Sequence, residues 1–111
     1  MKYCEECGRP YPEKHHVIFR SQGGFDVGWN YKYLCYKCHK GMNGPHRKKS
    51  KDLQYKRELQ TLLNERLCNE YYTPIQIKEI FIKTLKRHKE GYKSSKLIIA
   101  IMGRNYLEEV A

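Results

Sequence analysis

The fold is decided by Cys35-Tyr36-Lys37-Cys38-His39, a run that repeats the paired-cysteine spacing of Cys4-Glu5-Glu6-Cys7. Two residues between paired cysteines let a tight turn aim both sulfurs at one cation, and two such turns complete a tetrahedral four-thiolate shell that suits zinc. Because four protein ligands leave no open coordination position, we expect a structural zinc ion that contributes directly to the folding free energy. The expected ligands are Cys4, Cys7, Cys35 and Cys38.

The paired cysteines have two weaker interpretations. The four thiols could be unrelated buried side chains, or one pair could be a redox couple. A thioredoxin-like redox pair would accompany a βαβ pattern, which is missing here.

The composition indicates a small basic protein that needs a metal or a disulfide to stabilise it. The chain has 111 residues and a formal net charge of +10, which favours a polyanionic partner over a solvated basic surface without one. A domain of this size buries only roughly 60–70% of its unfolded surface, so a metal or a disulfide is expected to stabilise it. No apolar run approaches the ~20 residues that span a bilayer, and the first residues do not resemble a signal peptide. We therefore expect a soluble intracellular protein in a reducing compartment, where cysteines favour metal over disulfides.

A second group of chemistry-bearing residues lies between the cysteine pairs. His15-His16 precedes the β-favouring triplet 17–19, a turn-rich loop occupies 20–26, and 31–34 predicts a second strand. His39 is expected on the first turn of a helix. The order is strand, loop, strand, helix, with histidines where the first strand and the helix begin. A zinc ion that joins the cysteine pairs would draw these histidines towards one another.

Converging imidazoles suit phosphodiester hydrolysis, which needs an activated water, a cation and help for the leaving oxygen. Neighbouring residues of a strand point to opposite faces, so one of His15 and His16 can bind metal while the other polarises water. A neutral imidazole is a fit general base when an acceptor holds its second ring nitrogen. Asn30, or a backbone carbonyl that it positions, is a candidate for that acceptor. The alternative is a solvated pair of surface histidines.

The second half of the chain predicts helices. Leucines and a tyrosine at helical spacing indicate an amphipathic helix over about 52–71. The run Thr-Pro-Ile-Gln at 73–76 is typical of a helix start, so 74–89 is expected to be a second helix. A serine cap at 94 or 95 would open a third helix that ends at about 102.

The histidine pair, the Gly-Gly-x-Asp loop at 23–26, Asn30 and Cys35-x-x-Cys38-His39 occur in an order that closely resembles the HNH endonucleases with a Cys4 zinc. The resemblance covers roughly residues 4–46. It implies an α+β fold, with a small ββα-metal (His-Me finger) module and its zinc knuckle in 1–50. A C-terminal helical extension in 51–111 would pack on or beside that module. The resemblance also implies that the module cuts DNA with a divalent cation.

The resemblance also implies a role for each site residue. His15 takes the first metal-ligand position, which is often Asp in relatives, and His16 takes the general base. His39 takes the second metal-ligand position, and Asn30 takes the asparagine that braces the loop and the base. His46 is a candidate third ligand, in a Gly-x-His element that resembles small phage-encoded members. A phage-encoded protein would act in the cytoplasm of a bacterial host cell.

One departure from the family pattern concerns the catalytic metal. A histidine pair without an acidic ligand is softer than the Asp/His pair of many relatives. This favours Zn, Mn, Ni or Co over Mg.

Phosphate contacts are expected from basic residues that flank the histidines in sequence. Lysines and arginines there would supply salt-dependent, sequence-independent affinity. Nothing marks a base-reading helix of known type, so we expect weak sequence preference or recognition of DNA shape. The expected partner is double-stranded or branched DNA. The expected contacts are Lys14, Arg20, Lys37, Lys40, Arg47, Lys48 and Lys49.

Two functions of other classes compete with the nuclease. The chain could be a non-catalytic zinc-ribbon module that binds nucleic acid, with the histidines as surface groups. It could also be a protein-interaction adaptor that uses the C-terminal helices. A binding ribbon does not need the set His15-His16, Asn30 and His39, which therefore favours the nuclease. The oligomeric state is left open.

Overall fold

The structure of the protein, a computed structural model, describes residues 2–81 and 90–102. Its architecture is α+β, as predicted, with short strands interspersed among helices. The chain divides into two compact units, Met1–Leu59 and Gln60–Ala111. The predicted functional division after residue 50 stays a prediction. In the described part of the chain, no helix is both long and apolar enough to cross a membrane.

The first unit contains the predicted ββα order. Strand β1 (Glu13–His16) pairs antiparallel with β2 (Tyr31–Leu34), and α1 (Tyr36–Lys40) follows β2 almost directly. A longer helix, α2 (Lys49–Arg66), begins in this unit. The second strand coincides with its sequence prediction. His39 lies on α1, which begins between the two cysteines of the second pair, but it is near the end of this short helix and not at its start.

The first strand ends at the histidines, whereas the sequence analysis placed them at its beginning. The N–H of Val17 still donates to the backbone oxygen of Asn30 at 2.8 Å. At Ile18, the side-chain amide of Asn30 replaces the partner strand: its Oδ1 accepts from the Ile18 N–H at 2.9 Å, and its Nδ2 donates to the Ile18 oxygen at 3.1 Å. The triplet 17–19 therefore leaves the hairpin although its side chains favour strand.

The hairpin sends its two neighbouring histidines to opposite faces. Residues opposite each other in an antiparallel pair share a face, so His16 lies with Tyr31, and Lys14 with Tyr33. His15 points to the other face and is only 1% exposed. The strand period therefore separates a buried imidazole from a half-exposed one, as the sequence analysis expected.

Two adjacent glycines close the loop between the strands. Gly23 has a φ of 85°, in the left-handed region that favours glycine. A Cβ on Gly24 would lie 1.8 Å from the backbone oxygen of Ile18. The Gly-Gly pair is therefore required by backbone conformation at one position and by close approach at the other.

The start of α2 is tied to the loop between the first two cysteines. The hydroxyl of Tyr55 donates to Oε1 of Glu6 at 2.7 Å, and Nζ of Lys51 lies 3.1 Å from the same oxygen. The ring of Tyr55 is buried in the core of the first unit. The apolar core residues of this unit are Cys4, Val17, Ile18, Phe25, Leu34, Cys35, Tyr55 and Leu59.

The second unit combines helices with a small sheet. Strand β3 (Tyr71–Tyr72) pairs antiparallel with β4 (Tyr92–Lys93), and the helices α3 (Pro74–Phe81) and α4 (Ser94–Met102) each begin soon after a strand. The sequence analysis did not predict this sheet. Strands of two residues are too short to show an alternating pattern.

The predicted helix boundaries differ in part from the observed ones. The helix expected over 52–71 spans 49–66, because the chain must leave it to reach β3. The predicted helix start at 73–76 is confirmed, and it forms a capping box: Oε1 of Gln76 accepts from the Thr73 N–H at 3.0 Å, and Oγ1 of Thr73 accepts from the Gln76 N–H at 3.3 Å. The part of the second predicted helix over 82–89 lies outside the described residues.

Candidate active site and metal centres

The four paired cysteines converge in the first unit. Their sulfur atoms all lie within 4.8 Å of one another. The sulfurs of Cys7 and Cys35 are 3.6 Å apart, close to the roughly 3.8 Å between sulfurs in a tetrahedron of 2.3 Å zinc–sulfur bonds. A tight turn follows the first cysteine, since the N–H of Gly8 donates to the oxygen of Cys4 at 2.9 Å. The donor set and its spacing therefore fit one structural zinc ion.

The acidities of these thiols are consistent with a cation site. Burial raises the pKa of Cys4, but the backbone N–H groups of Cys35, Cys7 and Glu6 outweigh it and bring that pKa to about 6. Burial and the neighbouring thiols raise the pKa of Cys38 to about 12. Four clustered sulfurs therefore do not all ionise by themselves, whereas a bound cation deprotonates its thiol ligands.

Three histidines form a second cluster. Nitrogens of His15, His39 and His46 all lie within 4.8 Å of one another, and the Nε2 atoms of His39 and His46 are 2.9 Å apart. Among the described residues, neither ring nitrogen of the buried His15 has a hydrogen-bond partner. A buried imidazole normally pairs its nitrogens, because an unpaired buried polar group costs roughly 1–3 kcal/mol. The unpaired nitrogens thus fit a divalent cation held by the three rings.

The protonation state of His15 supports the same interpretation. Burial, followed by the nearby His39 and His46, lowers the pKa of His15 to about 3. Burial and His39 also lower the pKa of His46. At neutral pH, His15 is therefore an uncharged imidazole, the form that binds metals.

Separate elements bring the three histidines together. His15 comes from β1, His39 from α1, and His46 from the segment between α1 and α2. The ring of Phe19 stacks on His46 with a centroid distance of 5.0 Å and meets His15 edge-on at 5.7 Å. Aromatic packing therefore restricts the orientation of two rings of the cluster.

A carboxylate holds the far side of His39. Oε1 of Glu13 lies 3.0 Å from Nδ1 of His39, while the other ring nitrogen lies beside His46. A carboxylate behind a histidine fixes its tautomer and raises its basicity as a ligand. The sequence analysis missed Glu13, although a carboxylate two residues before His15 on a strand was the available signal.

His16 has a different partner from the one expected. Its Nε2 lies 3.1 Å from Oδ1 of Asp26, and the hydroxyl of Tyr31 donates to the same oxygen. The side chain of Asn30 instead bonds to Ile18 and, through Nδ2, to the oxygen of Phe25 at 2.9 Å. Asn30 therefore braces the loop. The sequence analysis quoted Asp26 within the Gly-Gly-x-Asp loop but assigned it no role.

The three clustered histidines and His16 line one cavity. Its volume is about 410 Å³, and its wall combines the three clustered histidines, His16 and three cationic side chains. A phosphodiester group in this cavity would meet a candidate metal site, a candidate base and positive charge together. The lining residues are Lys14, His15, His16, Phe19, Arg20, Ser21, His39, Lys40 and His46.

The predicted basic contacts fall into three places. Lys14, Arg20 and Lys40 line the histidine cavity. Lys37 lines a separate cavity beside the cysteines. The basic run 47–49 is exposed where the chain enters α2.

One family comparison identifies the first part of the chain. Residues 4–43 match the family model for HNH endonuclease, and no curated protein or solved structure gives a significant match. The matched segment contains both cysteine pairs, the hairpin and α1, whereas His46 lies beyond it. The resemblance stated from the sequence is confirmed for this segment, because residues 4–43 match the HNH endonuclease family model.

Proposed function

We propose that the chain is a metal-dependent DNA endonuclease that hydrolyses phosphodiester bonds with His16 as general base. HNH domains are generally nucleases, and the match at residues 4–43 supports activity on nucleic acid. The observation that carries the finer proposal is the buried His15, whose ring nitrogens lack partners among the described residues, beside two further histidines.

In this proposal, His15, His39 and His46 hold one divalent cation in the wall of the cavity that they line. When bound, a divalent cation there would neutralise charge that develops on the phosphate and the leaving oxygen. Three imidazole ligands favour Zn, Mn, Ni or Co over Mg, which prefers oxygen ligands.

The remaining residues of the cavity supply the general base and the contacts to the substrate. His16 lies on the opposite face of β1 from His15 and lines the same cavity, so it can take a proton from a water that attacks the phosphate. Lys14, Arg20 and Lys40 would hold phosphates next to the scissile one. Contacts to phosphates carry no sequence information, so the proposed substrate is duplex or branched DNA cut with low sequence specificity or by structure.

Cleavage of DNA by the zinc-loaded protein tests the proposal. Supercoiled plasmid, linear duplex, nicked duplex and a branched junction are each incubated with Mn²⁺, Ni²⁺, Co²⁺, Zn²⁺ or Mg²⁺. We expect cleavage that requires one of these ions and falls by about 10²–10⁴-fold in His16→Ala, the usual contribution of a general base. Glu65→Ala changes an exposed helix residue and is expected to cleave like the wild type.

The second candidate function is a zinc-ribbon module that binds nucleic acid without cutting it. It is favoured by the basic residues outside the histidine cavity, namely Lys37 and the run 47–49. DNA binding without cleavage under any metal, with His16→Ala indistinguishable from the wild type, would establish this alternative and exclude the nuclease.

A further inference from the structure

Asp26 lies at the centre of a three-residue contact on the solvent side of the hairpin. Its Oδ1 is 3.1 Å from Nε2 of His16 and accepts a hydrogen bond from the hydroxyl of Tyr31. The ring of Tyr31 also meets the ring of His16 edge-on, with centroids 5.2 Å apart. Tyr31 and His16 are opposite each other in the strand register, so the hairpin itself fixes two members of this contact.

We infer that Asp26 is the positioning residue of the general base: its carboxylate accepts the Nε2–H of His16 and leaves the Nδ1 lone pair to take the proton. This inference rests on the proposed function. An ionised carboxylate can only accept hydrogen bonds, so a neutral His16 bonded to it must carry its proton on Nε2. The ring is then held in one tautomer and one orientation.

Asn30 cannot perform this task where it lies. Its Oδ1 accepts from the Ile18 N–H, and its Nδ2 donates to the oxygens of Ile18 and Phe25. Its amide group is therefore committed to backbone groups of the loop. Asn30 acts on the base indirectly, because the loop that it braces is the one that carries Asp26.

Tyr31 keeps an exposed carboxylate in place. The side chain of Asp26 is 74% exposed, and an exposed pair between two mobile side chains contributes little to stability. Here the hydrogen bond from the Tyr31 hydroxyl lowers the pKa of Asp26, and the contact with His16 lowers it further. The carboxylate therefore stays ionised at neutral pH. The expected benefit is therefore to the orientation of the base and not to the stability of the fold.

Nuclear magnetic resonance of the substrate-free, zinc-loaded full chain tests the bond directly. In ¹⁵N-histidine-labelled protein at a pH where an ordinary imidazole is neutral, long-range proton–nitrogen spectra report which ring nitrogen carries the proton. We expect the His16 proton on Nε2 in the wild type. In Asp26→Ala the two nitrogen shifts should approach each other as tautomers mix. A wild-type proton on Nδ1, or unchanged shifts in Asp26→Ala, would overturn the inference.

Kinetics provide the second readout. Asp26→Ala should lower kcat about tenfold or more with little change in KM. This fall in kcat should be smaller than the fall of about 10²–10⁴-fold that is expected for His16→Ala. Asp26→Asn keeps an acceptor oxygen and should recover part of both kcat and the nitrogen shifts, whereas behaviour equal to Asp26→Ala would contradict a positioning role. Glu65→Ala, which also removes one exposed negative charge, controls for net charge. If the wild type cuts no DNA with any metal, the proposed function fails, and the spectra still decide whether Asp26 holds His16.

Discussion

Nδ1 of His39 lies 3.0 Å from a carboxylate oxygen of Glu13, so the hairpin and α1 are joined behind the histidine cluster. His39 is buried, and its other ring nitrogen lies 2.9 Å from a ring nitrogen of His46. This contact orients His39, a proposed metal ligand, although Glu13 itself is not one of the three clustered histidines.

Glu13→Gln should weaken metal binding at the histidine cluster by about 10–100-fold, the usual effect of removing a carboxylate behind a histidine ligand. Titration calorimetry of the zinc-loaded protein with Ni²⁺ or Mn²⁺ measures the change. The cysteine-bound zinc should stay at wild-type content, and Glu65→Gln should leave both sites unaltered. Equal metal affinity in Glu13→Gln and the wild type would show that Glu13 does not support His39 as a metal ligand.

Gly24→Ala should destabilise the first unit by about 1–3 kcal/mol, the range for strained or overpacked positions. The added Cβ would lie 1.8 Å from the backbone oxygen of Ile18, so the loop that carries Asp26 must shift. Gly28→Ala is the matched control, because its Cβ would meet nothing within 4 Å and its φ is not left-handed. Thermal unfolding compares the two. Similar melting temperatures for both variants would be incompatible with the close approach at Gly24.

Asn30→Asp keeps the size of a fully buried side chain but removes both of its donor hydrogens. The oxygens of Ile18 and Phe25 would each lose a hydrogen bond, at a cost of roughly 1–3 kcal/mol per unsatisfied group, and the new charge would be buried. Denaturant unfolding should show the loss, and cleavage should fall with it because the loop moves. Asn64→Asp, on the exposed side of α2, should have a far smaller effect.

Cys35→Ser should lower the zinc content and the melting temperature of the first unit, because metal binding there contributes folding free energy. Zinc is measured by atomic absorption, and melting by circular dichroism. Cys68→Ser, at an exposed cysteine outside the cluster, is the control. Full zinc content and unchanged melting in Cys35→Ser would exclude a four-thiolate site.

Much of the first unit was predictable because metal chemistry imposes spacing on the sequence. The two cysteine pairs predicted a knuckle, and strand alternation predicted the separation of His15 from His16. The predicted boundary of β1 was wrong. The side chains at 17–19 favour a strand, but at Ile18 the side-chain amide of Asn30 bonds to the backbone in place of a partner strand.

The supporting acids were not predictable from local pattern. Glu13 meets His39 across a sequence separation of 26, and Asp26 meets His16 across a loop whose shape depends on Gly23 and Gly24. Such contacts depend on the register and on loop closure, which a motif does not specify. The pairing of β3 with β4 was missed for a similar reason, since each strand has only two residues.

The number of divalent ions bound per chain tests the histidine cluster most directly. Zinc-loaded wild-type protein is titrated with Ni²⁺, and the same titration is repeated with His15→Ala, whose substitution lies outside the cysteine cluster. The histidine site predicts one further ion per chain in the wild type and none, or a far weaker one, in His15→Ala, with zinc content equal in both. If the wild type binds no further ion, or if the two proteins bind Ni²⁺ identically, the proposed metal site at the three histidines is contradicted.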